Sequence, residues 1–221
     1  MPTLILIRHA QASFGAADYD ELSALGHEQS RALGQALKAL GIVPDAVCLG
    51  AQKRHRQTWE GINQALGHIV PPRILPGFNE FDFSGLIEAR YAGRARPDNL
   101  HTERRAHFKA LRETVLEWQQ GEISDPPESY AAFAARVRTA RTEAMSEGHE
   151  TVLVVSSGGA IGQTVGDVMG APADAMIRLQ LQIKNCAMAR LIVTPRAEHL
   201  STFNETPHIT AANEARLLTY S

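Results

Sequence analysis

Apolar residues fall into short unbroken runs and longer helical stripes along this chain. Leu4-Ile5-Leu6-Ile7 is an unbroken run of strand length, the pattern of a strand buried on both faces of a parallel sheet. A polar, glycine-containing loop follows, from Gln11 to Asp20. Leu22, Leu25, Leu33, Leu37 and Leu40 then recur near helical spacing. Ser23 suits the N-cap of that helix, and Gly41, with Pro44 beyond it, marks its end. Asp45 to Leu49, ending at Gly50, predicts a second short strand. Lys53 to Leu66, closed by Gly67, predicts a helix, and Arg73-Ile74-Leu75 a third strand. This β-α-β-α-β alternation predicts an α/β fold: a three-layer α/β/α arrangement around a doubly wound, mostly parallel sheet.

Residues 85 to 127 break the rhythm. Glu88 to Arg105 is rich in charge and lacks a clean apolar face at its start. Phe108, Leu111, Val115 and Trp118 restore a helical pattern, and Asp125-Pro126-Pro127 breaks it again. The stretch is too short to bury a good core of its own. It reads as a helical insertion over the C-terminal ends of the strands, within a single domain spanning residues 1–221. The core pattern resumes with a helix over Ser129 to Met145, carrying Phe133 and Val137, and a buried strand over Thr151 to Val155. Ser156-Ser157-Gly158-Gly159 is a tight strand-to-helix turn, opening a helix over Ala160 to Met169. Gln182 to Val193 reads as a further strand region. Ser201 to Ser221 shows little periodicity.

Composition adds exclusions more than assignments. The chain has 221 residues and a formal charge of −2, so bulk attraction to nucleic acid is not expected. Its two cysteines, Cys48 and Cys186, stand in apolar runs that read as strands, and buried reduced thiols are the expectation. Met1-Pro2-Thr3 leads directly into the first strand, without the features of a signal peptide. No apolar run approaches the roughly 20 residues that span a bilayer. A cytoplasmic location without membrane contact is the expectation. The sequence leaves a homo-oligomer open.

Candidate chemistry clusters after the predicted strands. Arg8 and His9 follow the first strand, Arg54 the second, Glu80 the third, and Ser157 the strand at Thr151–Val155. Ligands of open α/β sheets bind outside the carboxyl ends of the strands, so these residues are expected to converge on one cleft. Two guanidiniums can clamp phosphoryl oxygens. An imidazole between them can attack phosphorus. A carboxylic acid can protonate the leaving oxygen and then activate water.

Arg8-His9-Ala10-Gln11 resembles the Arg-His-Gly motif of the histidine phosphatase superfamily, the phosphoglycerate-mutase-like fold. Arg54-His55-Arg56-Gln57-Thr58 resembles its second arginine motif, and Glu80-Phe81-Asp82-Phe83 its acid/base segment. Glu128-Ser129-Tyr130, with Phe133 and Arg136-Val137, resembles the helix before the last core strand. Val154-Val155-Ser156-Ser157-Gly158-Gly159 resembles a Val-Ser-His-Gly-Gly turn. The motifs keep the family's order from Thr3 to about Asn204-Glu205.

The resemblance implies a phosphomonoesterase that uses no metal and no cofactor, acting on a small phosphorylated substrate. His9 would become phosphohistidine, Arg8 and Arg54 would bind the phosphoryl oxygens, and Glu80 would donate the proton. Two positions depart from the pattern. Ala10 replaces the motif glycine. Ser157 replaces a second histidine, which in the family donates a hydrogen bond to the phosphoryl group. Serine can donate one bond but cannot be cationic. A weak or substrate-specialised phosphatase is therefore expected, with His55 or His208 as candidates to fill the gap. The alternatives are a phospho-ligand-binding protein with little or no turnover and, with less support, a phosphoglycerate mutase.

Other residues keep ordinary readings. Asp82 rivals Glu80 as the acid. Ser157 in its turn is by default a helix cap. Arg56 reads as a solvated residue. His27, His68, His101, His107, His149 and His199 read as surface or satisfied core residues. Arg90, Arg94, Arg96, Arg104 and Arg105 make the insertion locally basic, either as a solvated face or as a selector of anionic substrates.

Overall fold

A computed structural model describes residues 1–13, 20–67, 70–95 and 104–220. His68, Arg96, His101 and most of the loop after the first strand lie outside the described residues. Six strands form one sheet: β1 (Thr3–Arg8), β2 (Ala46–Leu49), β3 (Arg73–Ile74), β4 (Thr151–Ser156), β5 (Met188–Val193) and β6 (Glu198–Glu205). Among the described residues eight helices accompany them: α1 (Ala24–Ala39), α2 (Lys53–Leu66), α3 (Phe83–Arg90), α4 (Arg104–Gln120), α5 (Tyr130–Ala144), α6 (Gly158–Val168), α7 (Ala175–Gln180) and α8 (Glu214–Leu217). The strand order is β3-β2-β4-β1-β5-β6. β1, β2, β3 and β4 pair in parallel, and β5 runs antiparallel to both β1 and β6. The expected α/β fold with a mostly parallel sheet is present.

The unbroken apolar runs are explained by burial on two faces. Leu4 and Leu6 of β1, with Val152 and Val154 of β4, pack on Ala140 and Ala144 of α5 and Ile161 and Val165 of α6. Ile5, Ile7, Leu153 and Val155 point the other way, onto Leu33 and Leu37 of α1 and Trp59 and Ile62 of α2. The period-two alternation of side chains thus makes two cores from one apolar run. The Ser23 hydroxyl accepts from the Gly26 N–H and caps α1, a contact worth about 1 kcal/mol. Ser129 does the same for α5 through the Ala132 N–H. Gly67 takes the left-handed conformation at the end of α2. Among the described residues no helix is long and apolar enough to cross a membrane.

The parallel register aligns the strand ends. Arg8 lies opposite Ser156, and Leu49 opposite Val155. The three loops after β1, β2 and β4 therefore leave the sheet side by side.

Several elements differ from the expectation. Only Met188–Val193 of the strand region from Gln182 is a strand. Its polar start is a turn in which Cys186 has φ of 57°, so this cysteine is buried but not in a strand. β6 lies at the sheet edge with partly exposed residues, and polar edge strands carry a weak apolar signal. α3 starts at Phe83 and runs to Arg90, into the segment from residue 85 that looked irregular. Arg90 bonds Glu117 through two nitrogens, at 3.0 and 2.6 Å, and thereby ties α3 to α4.

Candidate active site

His9 immediately follows β1 and is buried. Its backbone N–H donates to the Ser156 carbonyl at 2.9 Å, and its own carbonyl accepts from Asn185 Nδ2 at 3.2 Å. The ring Nδ1 lies 2.8 Å from the carbonyl oxygen of Ala10. A carbonyl only accepts, so Nδ1 carries the proton and Nε2 of the neutral ring keeps a lone pair. Burial lowers the pKa of His9 well below the ordinary value, and the Arg54 and Arg8 guanidiniums and the His55 ring add to this. The ring is neutral near pH 7. Ala10 packs its methyl into the apolar core beneath α1 and α2, while its N–H donates to Thr58 Oγ1 at 3.0 Å. The Ala10 methyl is thus accommodated by the core.

Arg8 is buried and donates through Nη1 to the Ile183 carbonyl. Arg54, in the first turn of α2, bonds Asp20 Oδ1 at 2.8 Å through Nη1. Its Nη2 reaches Gln52 Oε1 at 3.0 Å and Ser157 Oγ at 3.3 Å. Asp20 also accepts from the Lys53 N–H at 2.7 Å, so it caps α2 while holding the guanidinium.

Glu80 follows β3 through a 3-10 turn at Pro76–Phe78. Its Oε2 accepts from the Gly159 N–H at 3.0 Å and from Gln180 Nε2 at 3.4 Å. Burial pushes the carboxyl above the usual range, against the Gly159 N–H and the charges of Arg54 and Arg8. Gly159 must be glycine here, because an added Cβ would stand 2.2 Å from Glu80 Oε1 and 2.7 Å from the Phe81 ring. Arg136 fixes the segment from behind. It grips Glu128 through two nitrogens, at 2.9 and 2.6 Å, and donates to the carbonyls of Gly77 at 3.0 Å, Asn79 at 2.8 Å and Glu80 at 3.4 Å. Asp82 is exposed and caps α3 through the Gly85 N–H at 3.0 Å.

Ser157 occupies the N-cap position of α6 but makes no capping bond with its side chain. Its hydroxyl instead faces His55 Nε2 at 2.7 Å, Arg54 Nη2 at 3.3 Å and Gln52 Oε1 at 3.4 Å. His55 is fully buried, with its ring centroid 5.9 Å from that of His9. Burial, with help from Arg54, lowers its pKa to about 3. His208 is buried too, and burial lowers its pKa to about 4. Among the described residues neither of its ring nitrogens has a hydrogen-bond partner, and no bond links the ring to this cluster.

Arg8, His9, Arg54, His55, Glu80 and Ser157 are thus linked through hydrogen bonds and electrostatics at the ends of four strands. Gln52, Asp20, Gln180 and Asn185 also take part, and no sequence feature singled them out. Gln52 Oε1 accepts from Arg54 Nη2, the Ser157 hydroxyl and the Glu80 N–H. Arg56 pairs with Glu60 on the surface. Arg94 and Arg105 are exposed, as is His199. His149 contacts Glu147, and His107 packs edge-on against Phe83.

Residues 4–206 match the histidine phosphatase superfamily, branch 1. A probable phosphoglycerate mutase of Erwinia tasmaniensis is 31% identical over 198 residues, covering 86% of this chain and 85% of the relative. Among solved structures, the alpha-ribazole phosphatase of Shigella flexneri superposes with a TM-score of 0.68 at 22% identity, covering 92% of this chain and 96% of that one. A mycobacterial glucosyl-3-phosphoglycerate phosphatase, solved with inorganic phosphate, also gives 0.68, at 18% identity over 95% of this chain and 100% of its own.

Proposed function

Because the chain belongs to the histidine phosphatase superfamily, we propose that it hydrolyses phosphomonoesters through a phosphohistidine on His9. The observation that carries this reading is the state of His9. Its Nδ1 is held by the Ala10 carbonyl, and the neutral ring lies in the field of two guanidiniums, Arg54 and Arg8. In the first step Nε2 attacks phosphorus, the bond from phosphorus to the ester oxygen breaks, and the Glu80 carboxyl gives its proton to that oxygen. In the second step the Glu80 carboxylate takes a proton from water as the water oxygen attacks phosphorus. The bond to His9 then breaks and phosphate leaves. Arg8 and Arg54 balance the phosphoryl charge, as a divalent ion does in other phosphoryl-transfer sites, and Ser157 adds one neutral donor.

Relatives named for mutase and phosphatase activity share this fold, so the fold does not choose between water and a second hydroxyl as acceptor. The stretch from 85 to 127, read as an insertion in a single domain, is assigned the choice of substrate. Its α4 packs beneath the Glu80 segment through Val115 and Trp118 against Phe81. The free, buried cysteines are in keeping with a cytoplasmic setting. Ser157, a neutral donor in place of a histidine, favours a second reading: a phospho-ligand-binding protein with little turnover.

The test is phosphate release from a panel of phosphomonoesters by the wild type and by His9→Ala. Release that depends on His9 is expected for at least one ester. If both proteins are inactive across the panel while orthovanadate still binds, hydrolysis is wrong and the binding reading replaces it.

A further inference from the structure

A hydroxyl oxygen offers one hydrogen and two lone pairs. Around Ser157 Oγ stand two nitrogens, His55 Nε2 at 2.7 Å and Arg54 Nη2 at 3.3 Å, and one acceptor, Gln52 Oε1 at 3.4 Å. Arg54 can only donate. The direction of the His55 contact therefore decides what Ser157 does. If Ser157 donates to His55, its only proton is spent there and the phosphoryl group receives nothing from it. If His55 donates to Ser157, both lone pairs are filled and the hydroxyl hydrogen must point elsewhere.

We infer that His55 is a positioning residue: it donates its Nε2–H to Ser157 Oγ and so turns the Ser157 hydroxyl onto the phosphoryl group. The inference rests on the phosphatase reading above and adds a residue to it. Three observations support this direction. On the Nδ1 side the Gly50 backbone offers His55 only a weak hydrogen bond outside good geometry, whereas Ser157 Oγ stands 2.7 Å from Nε2. The ring is neutral, with a pKa of about 3, and carries a single N–H to place. The present acceptor of the Ser157 hydrogen, Gln52 Oε1 at 3.4 Å, is distant, and an anionic phosphoryl oxygen is a stronger acceptor. An N–H donated into Oγ also polarises the O–H bond and strengthens its donation. His55 thus acts on the phosphoryl group only through Ser157, which explains why a neutral serine can stand where the family motif has a histidine.

The test compares wild type with Ser157→Ala, His55→Ala, His55→Gln and the Ser157→Ala/His55→Ala double variant. The expected loss in kcat for Ser157→Ala is about 10²-fold. His55→Ala should show most of that loss, with a smaller change in KM, and the double variant should be no worse than Ser157→Ala. His55→Gln, whose amide can donate from a similar place, should recover part of the rate. In the vanadate-bound protein, 15N NMR should find the His55 proton on Nε2. Losses that multiply in the double variant would overturn the inference, as would wild-type kcat in His55→Ala or a proton on Nδ1. If wild type releases no more phosphate than His9→Ala, the phosphatase reading falls by itself. Orthovanadate affinity across the same variants then decides the inference: non-multiplying losses sustain it, and multiplying or absent losses end it.

Discussion

His9 can attack phosphorus only while its ring is neutral, and Glu80 can protonate a leaving oxygen only while it holds its proton. The site moves both groups in the useful direction. The His9 pKa falls well below its ordinary value through burial and neighbouring cations. The Glu80 pKa rises through burial. Activity should therefore decline on the acid side as His9 protonates, well below pH 6.5. On the alkaline side it should decline as Glu80 ionises, above pH 4.5. A pH profile of kcat/KM, with the substrate's own titration measured separately, should show both limbs. Glu80→Gln should keep the acid limb and lose the alkaline one. Identical profile shapes in the two proteins would remove Glu80 from the acid role. At this scale the sequence was most readable where a residue type has few other uses in such a place. His9, Arg54, Glu80 and Ser157 each stand after a strand, and Arg8, expected just past the first strand, is its last residue. Gln52 and Gln180 did not stand out, because a glutamine's role depends on where its amide points. Asp20 was hidden in the same way, as an ordinary loop carboxylate until Arg54 was seen to bind it.

At the scale of elements, the Glu80 segment after β3 has no regular structure of its own beyond one 3-10 turn. Arg136 of α5 substitutes for a ladder by donating to three of its carbonyls while Glu128 holds the guanidinium. Lysine has neither the planar fork nor enough directed donors for this. Arg136→Lys should lower kcat by about tenfold or more through misplacement of Glu80, while far-UV circular dichroism stays that of the wild type. An unchanged kcat would show that the segment holds itself. Elements with strong periodicity were legible: β1, β4, α1 and α2 bury whole faces. α7 is six residues long, and β6 is a partly exposed edge, so neither leaves a clear pattern. The turn before β5 looked like strand because its apolar residues are buried, although there the chain curves so that Asn185 reaches the His9 carbonyl.

At the scale of the molecule, a chain with a formal charge of −2 holds two buried guanidiniums at the carboxyl ends of its central strands. Net charge hides such a site, because opposite charges elsewhere on the surface cancel it. The parallel register makes the site possible, since it brings loops from residues 9, 54 and 157 to one edge of the sheet. The C-terminal segment closes the far side. Thr219 accepts the Asn185 N–H and bonds Gln29, which in turn accepts the Gln11 N–H beside the His9 loop. None of this long-range bracing is written in local sequence pattern, because each bond joins residues far apart in the chain.

The central claim is a covalent phosphoryl group on His9. The direct measurement is rapid-quench mass spectrometry of the wild type during turnover of an ester that it hydrolyses, with the quench kept alkaline because phosphohistidine is acid-labile. One phosphoryl group on the peptide that contains His9, absent from His9→Ala and lost on acid treatment, is the result predicted. Steady turnover with no phosphoryl group on that peptide, or an acid-stable one on another residue, would contradict the account.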